Sequence, residues 1–173
     1  MVFGVPKGAK VAEKDKEKAA RLGYVGDYTR LGNSCWFTNL DHGRRHQPLP
    51  LMTESDVIKF GTKKQFVKYD NYDAIEIPYV KYIPSDYDGV MGVPVSIMDK
   101  YNPEQFRILG TSDNGLVDDK FKKTQGLTKE FVDDYYKAGG TGAYKEGNPT
   151  AGYYENNVAK MAYKRIFIKH KDK

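Results

Sequence analysis

The residue types most able to do chemistry gather early in the chain, at Cys35, Asp41, His42 and His46. Histidines four apart could offer two imidazoles to one metal ion from a single helix face. Gly43 between them, with Pro48 and Pro50 just beyond, opposes a helix there, and no second ligand pair follows. The stretch is therefore read as a polar loop whose His and Arg side chains bond locally or to a partner, and no metal site is expected. Cys35 sits beside Trp36 in an aromatic run, where a cysteine packs as a small hydrophobe rather than acting as a nucleophile. Asp86 and Asp88 flank Tyr87 ahead of Gly89, the composition of a turn rather than of an acid/base pair. Gly139-Gly140-Thr141-Gly142 lacks the Lys-Ser/Thr that would complete a phosphate loop, and lacks a hydrophobic strand before it. It reads as a linker that ends a helix.

Aromatic residues interleaved with basic ones are more suggestive. Lys68-Tyr69-Asp70-Asn71-Tyr72-Asp73 sets two tyrosines and an amide beside a lysine. Aromatic faces stack on bases, amides read adenine edges, and Lys and Arg hold phosphates. Further basic clusters stand at Arg44-Arg45-His46, Lys63-Lys64, Lys120 to Lys123 and Lys164 to Lys173. The overall excess is modest, 28 Lys and Arg against 23 Asp and Glu, a net charge of +5. Charge alone favours a solvated mixed surface.

These residues need elements to hold them. Val2 to Pro6 reads as extended, and Ala12 to Leu22 as a helix with a thin apolar face and Gly23 as its stop. Ser34 to Leu40 is the best strand of the N-terminal half. Met52 to Lys68 suggests a helical turn plus loop. Ile75 to Ile77 alternates like a strand, and Val93 to Met98 is an apolar run broken by Pro94. Asn102 to Phe106 has the order of a one-turn helix feeding a strand at Arg107 to Gly110. Thr128 caps a helix to Ala138 that Gly139-Gly140 ends. Residues 139–157 read as loop, and Tyr163 to Ile168 as a final strand with Ile166 and Ile168 on one face and Phe167 on the other.

Mean hydropathy is −0.70, and no run approaches the roughly 18–20 apolar residues of a spanning helix. The start has no secretory signal pattern. The single cysteine excludes an internal disulfide framework and suits a reducing cytosol. The 14 tyrosines in a polar chain of 173 residues favour surfaces that are half wet and half buried.

Four longer strings carry a resemblance. They are Tyr28 to His42 (YTRLGNSCWFTNLDH) with Arg44-Arg45-His46; Lys68 to Ile75 (KYDNYDAI); Gly89 to Pro94 (GVMGVP) with Asp99 to Phe106 (DKYNPEQF); and Arg165 to His170 (RIFIKH). In this order they resemble the C-terminal half of EcoRI-type adenine-specific DNA methyltransferases, from about Gly23 onward. The resemblance implies S-adenosylmethionine as methyl donor and the exocyclic N6 of an extruded adenine as acceptor. It also implies a Gly-rich cofactor loop and an Asn/Asp-Pro-Pro-aromatic motif. This sequence contains neither: Asn102-Pro103 is followed by Glu104, Asn148-Pro149 by Thr150, and no two prolines are adjacent.

The expectation is an α+β fold, a mixed and largely antiparallel small sheet with a few short helices and long loops, as in a fragment of a larger methyltransferase fold. Residues 1–50 would end the methyltransferase sheet and 51–173 would form the target-recognition region. The chain would be the DNA-recognition-bearing part of a restriction–modification enzyme, inactive alone, holding no cofactor itself. DNA and an N-terminal catalytic half would be its partners, with no membrane, in the cytoplasm. Arg44, Arg45, His46, Lys68, Tyr69, Asn71 and Tyr72 are the expected DNA-contacting residues. No residue is assigned catalysis. The alternative is a stand-alone DNA- or protein-binding module.

Overall fold

A computed structural model describes residues 2–5, 10–30, 43–61, 66–113 and 126–171. Two compact units share the chain, Met1–Leu40 and Asp41–Lys173. In the smaller, strand β1 (Val2–Gly4) pairs antiparallel with β2 (Tyr28–Arg30), and helix α1 (Glu13–Ala20) lies between them in sequence. Glu13 and Asp15 in its first turn and Lys18 in its last complement the helix dipole. Gly23, at φ +86°, accepts the left-handed conformation that stops it. The helix buries only Ala19, while Leu22 stays exposed. The expected strand at Ser34 to Leu40, with Asp41 and His42, lies outside the described residues.

The larger unit is built on a mixed five-stranded sheet in the order β3-β4-β5-β9-β6. Its strands are β3 (Val67–Lys68), β4 (Ile75–Glu76), β5 (Met91–Pro94), β6 (Phe106–Thr111) and β9 (Arg165–His170). Only β4 and β5 pair in parallel. The sheet is thus mixed and largely antiparallel, as expected. The unit takes in residues from Asp41 onward, and Leu49 is part of its core.

Both faces of the sheet are covered, which explains why Ile166, Phe167 and Ile168 are all buried. Ile166 and Ile168 face a core of Ile75, Ile77, Met91, Val93, Ile97 and Phe106, closed by Val57 of helix α2 (Glu54–Phe60). Thr53 caps α2 by accepting the Asp56 N–H at 3.1 Å, so the weakly patterned Met52–Lys68 stretch holds a full helix and β3. Phe167 faces the other way, against Tyr69, Tyr72, Ala74, Leu109, Ala151 and Ala162. A bulge between Ile108 and Gly110 shifts the β6 register, and Leu109 joins this second cluster.

Helix α3 (Lys129–Lys137) forms where the sequence places it, with the Thr128 hydroxyl accepting the Phe131 N–H at 3.1 Å and Gly139 at φ +85° ending it. Its Phe131 and Val132 pack on a hairpin, β7 (Gly152–Glu155) and β8 (Val158–Met161). That hairpin corrects the reading of residues 139–157 as loop. Asn156 and Asn157, at φ 51° and 62°, supply the two left-handed positions a tight hairpin turn needs. Two smaller differences follow. Pro94 ends β5 rather than interrupting a longer strand, and a 3-10 helix, Val95–Asp99, follows. Asn102 to Gln105 is a turn rather than a helix: the Asn102 carbonyl accepts the Gln105 and Phe106 N–H at 3.2 and 3.1 Å, its side chain accepts the Glu104 N–H at 2.7 Å, and β6 begins at once.

Candidate nucleic-acid interface

Gly43–His46 forms one turn of 3-10 helix, not an open loop, and carries Arg44, Arg45 and His46. The chain after it docks on the Asn102–Gln105 turn. Leu49 N–H donates to Gln105 Oε1 at 2.6 Å, Gln105 Nε2 donates to Leu49 O at 3.2 Å, and His46 Nδ1 meets Glu104 Oε1 at 3.1 Å. Burial raises the pKa of Tyr101, opposed by its hydrogen bond with the backbone of Ile108 and by the charge of Arg45. The same turn holds the end of β9. Lys171 N–H donates to Gln105 O at 3.0 Å, and its Nζ to Pro103 O at 3.1 Å. One turn therefore joins the 44–46 stretch to the C-terminal basic run.

Arg107, just beyond that turn on β6, stands directly opposite Lys169 on β9. With His170 and Lys171 they line a cleft of about 250 Å³. His170 is fixed, its Nε2 2.7 Å from Pro84 O and its ring 4.9 Å from that of Phe106. The C-terminal run was visible as a basic cluster in the sequence. Arg107 was not, since its place beside Lys169 is set by strand register alone.

The other expected contact string lies elsewhere. β3 and β6 are opposite ends of the sheet, so Lys68 and Arg107 stand four strand spacings apart, about 19 Å. Lys68 is exposed there, but Tyr69, Asn71 and Tyr72 are turned inward, with exposures of 6%, 0% and 4%. Asn71 donates to Thr150 O at 2.8 Å and accepts the Gly152 N–H at 3.0 Å, while the Tyr72 hydroxyl donates to Pro149 O. Together they bolt the β7–β8 hairpin to the sheet. In this arrangement their polar atoms serve the fold, where the sequence suggested a base or the cofactor.

Tyr69 belongs to a buried charge cluster that sequence reading missed. Its hydroxyl donates to Glu76, and Arg165 grips the same carboxylate through Nε at 3.2 and 3.0 Å and through a terminal nitrogen at 2.6 Å. Burial, then the neighbouring Glu76 carboxylate, pushes the Tyr69 phenol well above its usual range. Burial works against the Arg165 charge, but the Glu76 contacts outweigh it and its pKa rises. The cluster is a neutralised structural lock with no exposed nucleophile.

The candidate cofactor loop does not fit S-adenosylmethionine. The glycine-rich stretch 139–142 is filled by the chain's own rings: a Cβ at Gly140 would lie 2.3 Å from the Tyr135 ring, and one at Gly142 2.9 Å from that of Tyr144. The Tyr135 hydroxyl donates to Thr141 O at 2.9 Å and the Tyr136 hydroxyl to Gly142 O at 3.0 Å. Asn102, the residue nearest to a base-holding motif, spends its carbonyl oxygen inside its own turn. Among the described residues no group of three or more His, Cys, Asp or Glu could hold a metal.

Three of the four quoted strings, Lys68 to Ile75, Gly89 to Phe106 and Arg165 to His170, lie within this α+β unit, whose sheet carries a basic edge. The chain belongs to the family described as adenine-specific methyltransferase EcoRI, which matches residues 1–171. It is similar to the type II methyltransferase M.EcoRI of Escherichia coli, 46% identical over 91 residues, 52% of this chain. It is similar also to M.MgeORF184P of Mycoplasma genitalium, 33% identical over 102 residues and 59% of the chain, and to M.MpnI of Mycoplasma pneumoniae, 38% over 82 residues and 47%. The matches span 27%, 31% and 24% of those relatives' own lengths. No solved structure matches. No described helix is long and apolar enough to cross a membrane.

Proposed function

We propose that this chain is the DNA-recognition-bearing part of an S-adenosylmethionine-dependent, site-specific adenine-N6 DNA methyltransferase of a restriction–modification system, acting in the cytoplasm. The observation that carries this reading is the family match through residues 1–171. The sequence holds no Pro-Pro-aromatic motif and its glycine loop is occupied by tyrosines, so cofactor binding and base holding fall to a catalytic half acting with it. Arg44, Arg45 and His46 contact the DNA backbone. Lys68 adds a weaker contact at the far edge, and Tyr69, Asn71 and Tyr72 support the surface from beneath. The reading predicts salt-sensitive binding of duplex DNA, no calorimetric heat with S-adenosylmethionine, and no transfer of labelled methyl groups by the chain alone. Tight cofactor binding, or methylation unaided, overturns it.

A second reading, a self-contained binding module without catalysis, draws on the compactness of residues 41–173. It calls for cooperative unfolding of a monomer whose DNA binding no methyltransferase partner improves.

A further inference from the structure

The cleft at the end of the β6–β9 ladder joins cations that the sequence keeps 62 positions apart. Arg107 and Lys169 are antiparallel partners on one face of the sheet, and Lys171 completes the rim. Two positive side chains are thereby set side by side at this end of the ladder. Among the described residues the cleft is lined by Arg107, Lys169, His170 and Lys171, and the Glu104 carboxylate is turned to His46. The floor is rigid, because His170 is bonded to Pro84 O and Lys171 is held at both its N–H and its Nζ. A guanidinium fork beside an ammonium on a fixed floor matches the tetrahedral oxygens of a phosphodiester.

We propose that Arg107 and Lys169, with Lys171, grip a backbone phosphate of duplex DNA, and that the Asn102–Gln105 turn sets this grip in register with Arg45 and His46. The site deepens the DNA-binding reading and rests on it. These contacts position the duplex and carry no sequence information.

The test is fluorescence anisotropy of a labelled duplex titrated with the 173-residue chain across a NaCl series. One neutralised phosphate contributes about 0.9 to the slope of log K against log salt. The variant Arg107→Gln/Lys169→Gln should lose about one unit of slope and bind about tenfold more weakly near 0.1 M salt. Arg107→Lys/Lys169→Arg, which keeps both charges, should retain the slope. Lys129→Gln/Lys145→Gln, on α3 and the loop after it, should leave binding unchanged. Thermal melts establish that each variant is folded, and Lys171→Gln, outside the strand pairing, repeats the test if the double variant is not. A wild-type chain that ignores DNA defeats the broader reading. A chain that binds DNA with the same slope after Arg107→Gln/Lys169→Gln defeats the phosphate grip alone. Inorganic phosphate that raises the melting temperature through these residues, while DNA affinity ignores their loss, makes the cleft a small-anion site and overturns the proposal.

Discussion

Replacing Glu76 with Gln keeps the side chain's length and removes its charge, with consequences set by three neighbours. Glu76 and Arg165 side chains are 6% and 12% exposed, so water cannot replace the lost contacts. The carboxylate accepts from Arg165 through both oxygens and from the Tyr69 hydroxyl. An amide offers one acceptor and puts N–H donors where donors already point. Leaving a buried guanidinium without its counter-charge costs about 3–5 kcal/mol, a large share of the roughly 5–15 kcal/mol of a whole domain. With a urea slope of about 1.5 kcal/mol/M, the unfolding midpoint followed by far-ultraviolet circular dichroism should fall by about 2–3 M. The double variant Glu76→Leu/Arg165→Met removes both charges and should recover most of the loss, since well-packed apolar replacements of buried pairs are often neutral. If Glu76→Gln costs less than about 1 kcal/mol, and the double variant is no better than either single change, the lock described here is not holding the sheet.

Gly92→Ala tests the same cluster from the opposite strand. Its Cβ would lie 2.3 Å from the Tyr69 hydroxyl oxygen, so the ring must move, at about 1–3 kcal/mol and with an altered near-ultraviolet tyrosine signal. A melting temperature matching wild type would refute the close approach. Alkaline pH tests two tyrosines. Burial, then the charge of Asp113, pushes the Tyr72 phenol up to about 12, and burial, then the hydrogen bond to Asp134, does the same for Tyr154. The unfolded chain ionises these groups near pH 10, so their contribution is complete below pH 10 and is lost as pH rises toward 12. Urea midpoints should fall across that window, less steeply in Tyr72→Phe; equal steepness would refute the assignment.

Local signals in the chain were legible and distant pairings were not. Thr128 and Gly139 mark the two ends of α3 because caps are chemistry of adjacent residues. The Ile-Phe-Ile run of β9 reads correctly because strand alternation needs no knowledge of a partner. The β7–β8 hairpin was hidden because the glycines and asparagines that shape its approach and turn are also those of open loop. Asn71 looked like a base reader, yet its partners lie about 80 residues away at Thr150 and Gly152. The Glu76–Arg165 lock spans 89 positions, and the Arg107–Lys169 juxtaposition depends on a register that no short motif encodes.

The sheet order has a consequence for how the molecule is made. β5 and β6 do not touch each other as strands; each pairs with β9, whose residues 165–170 leave the ribosome after both. Until then the growing polypeptide carries a three-stranded β3–β4–β5 piece with a bare edge and a lone β6 strand, the kind of exposed ladder that invites pairing with a neighbouring chain. Cotranslational escort, or rapid delivery of β9, is therefore more valuable here than in a fold whose late strands merely decorate the rim.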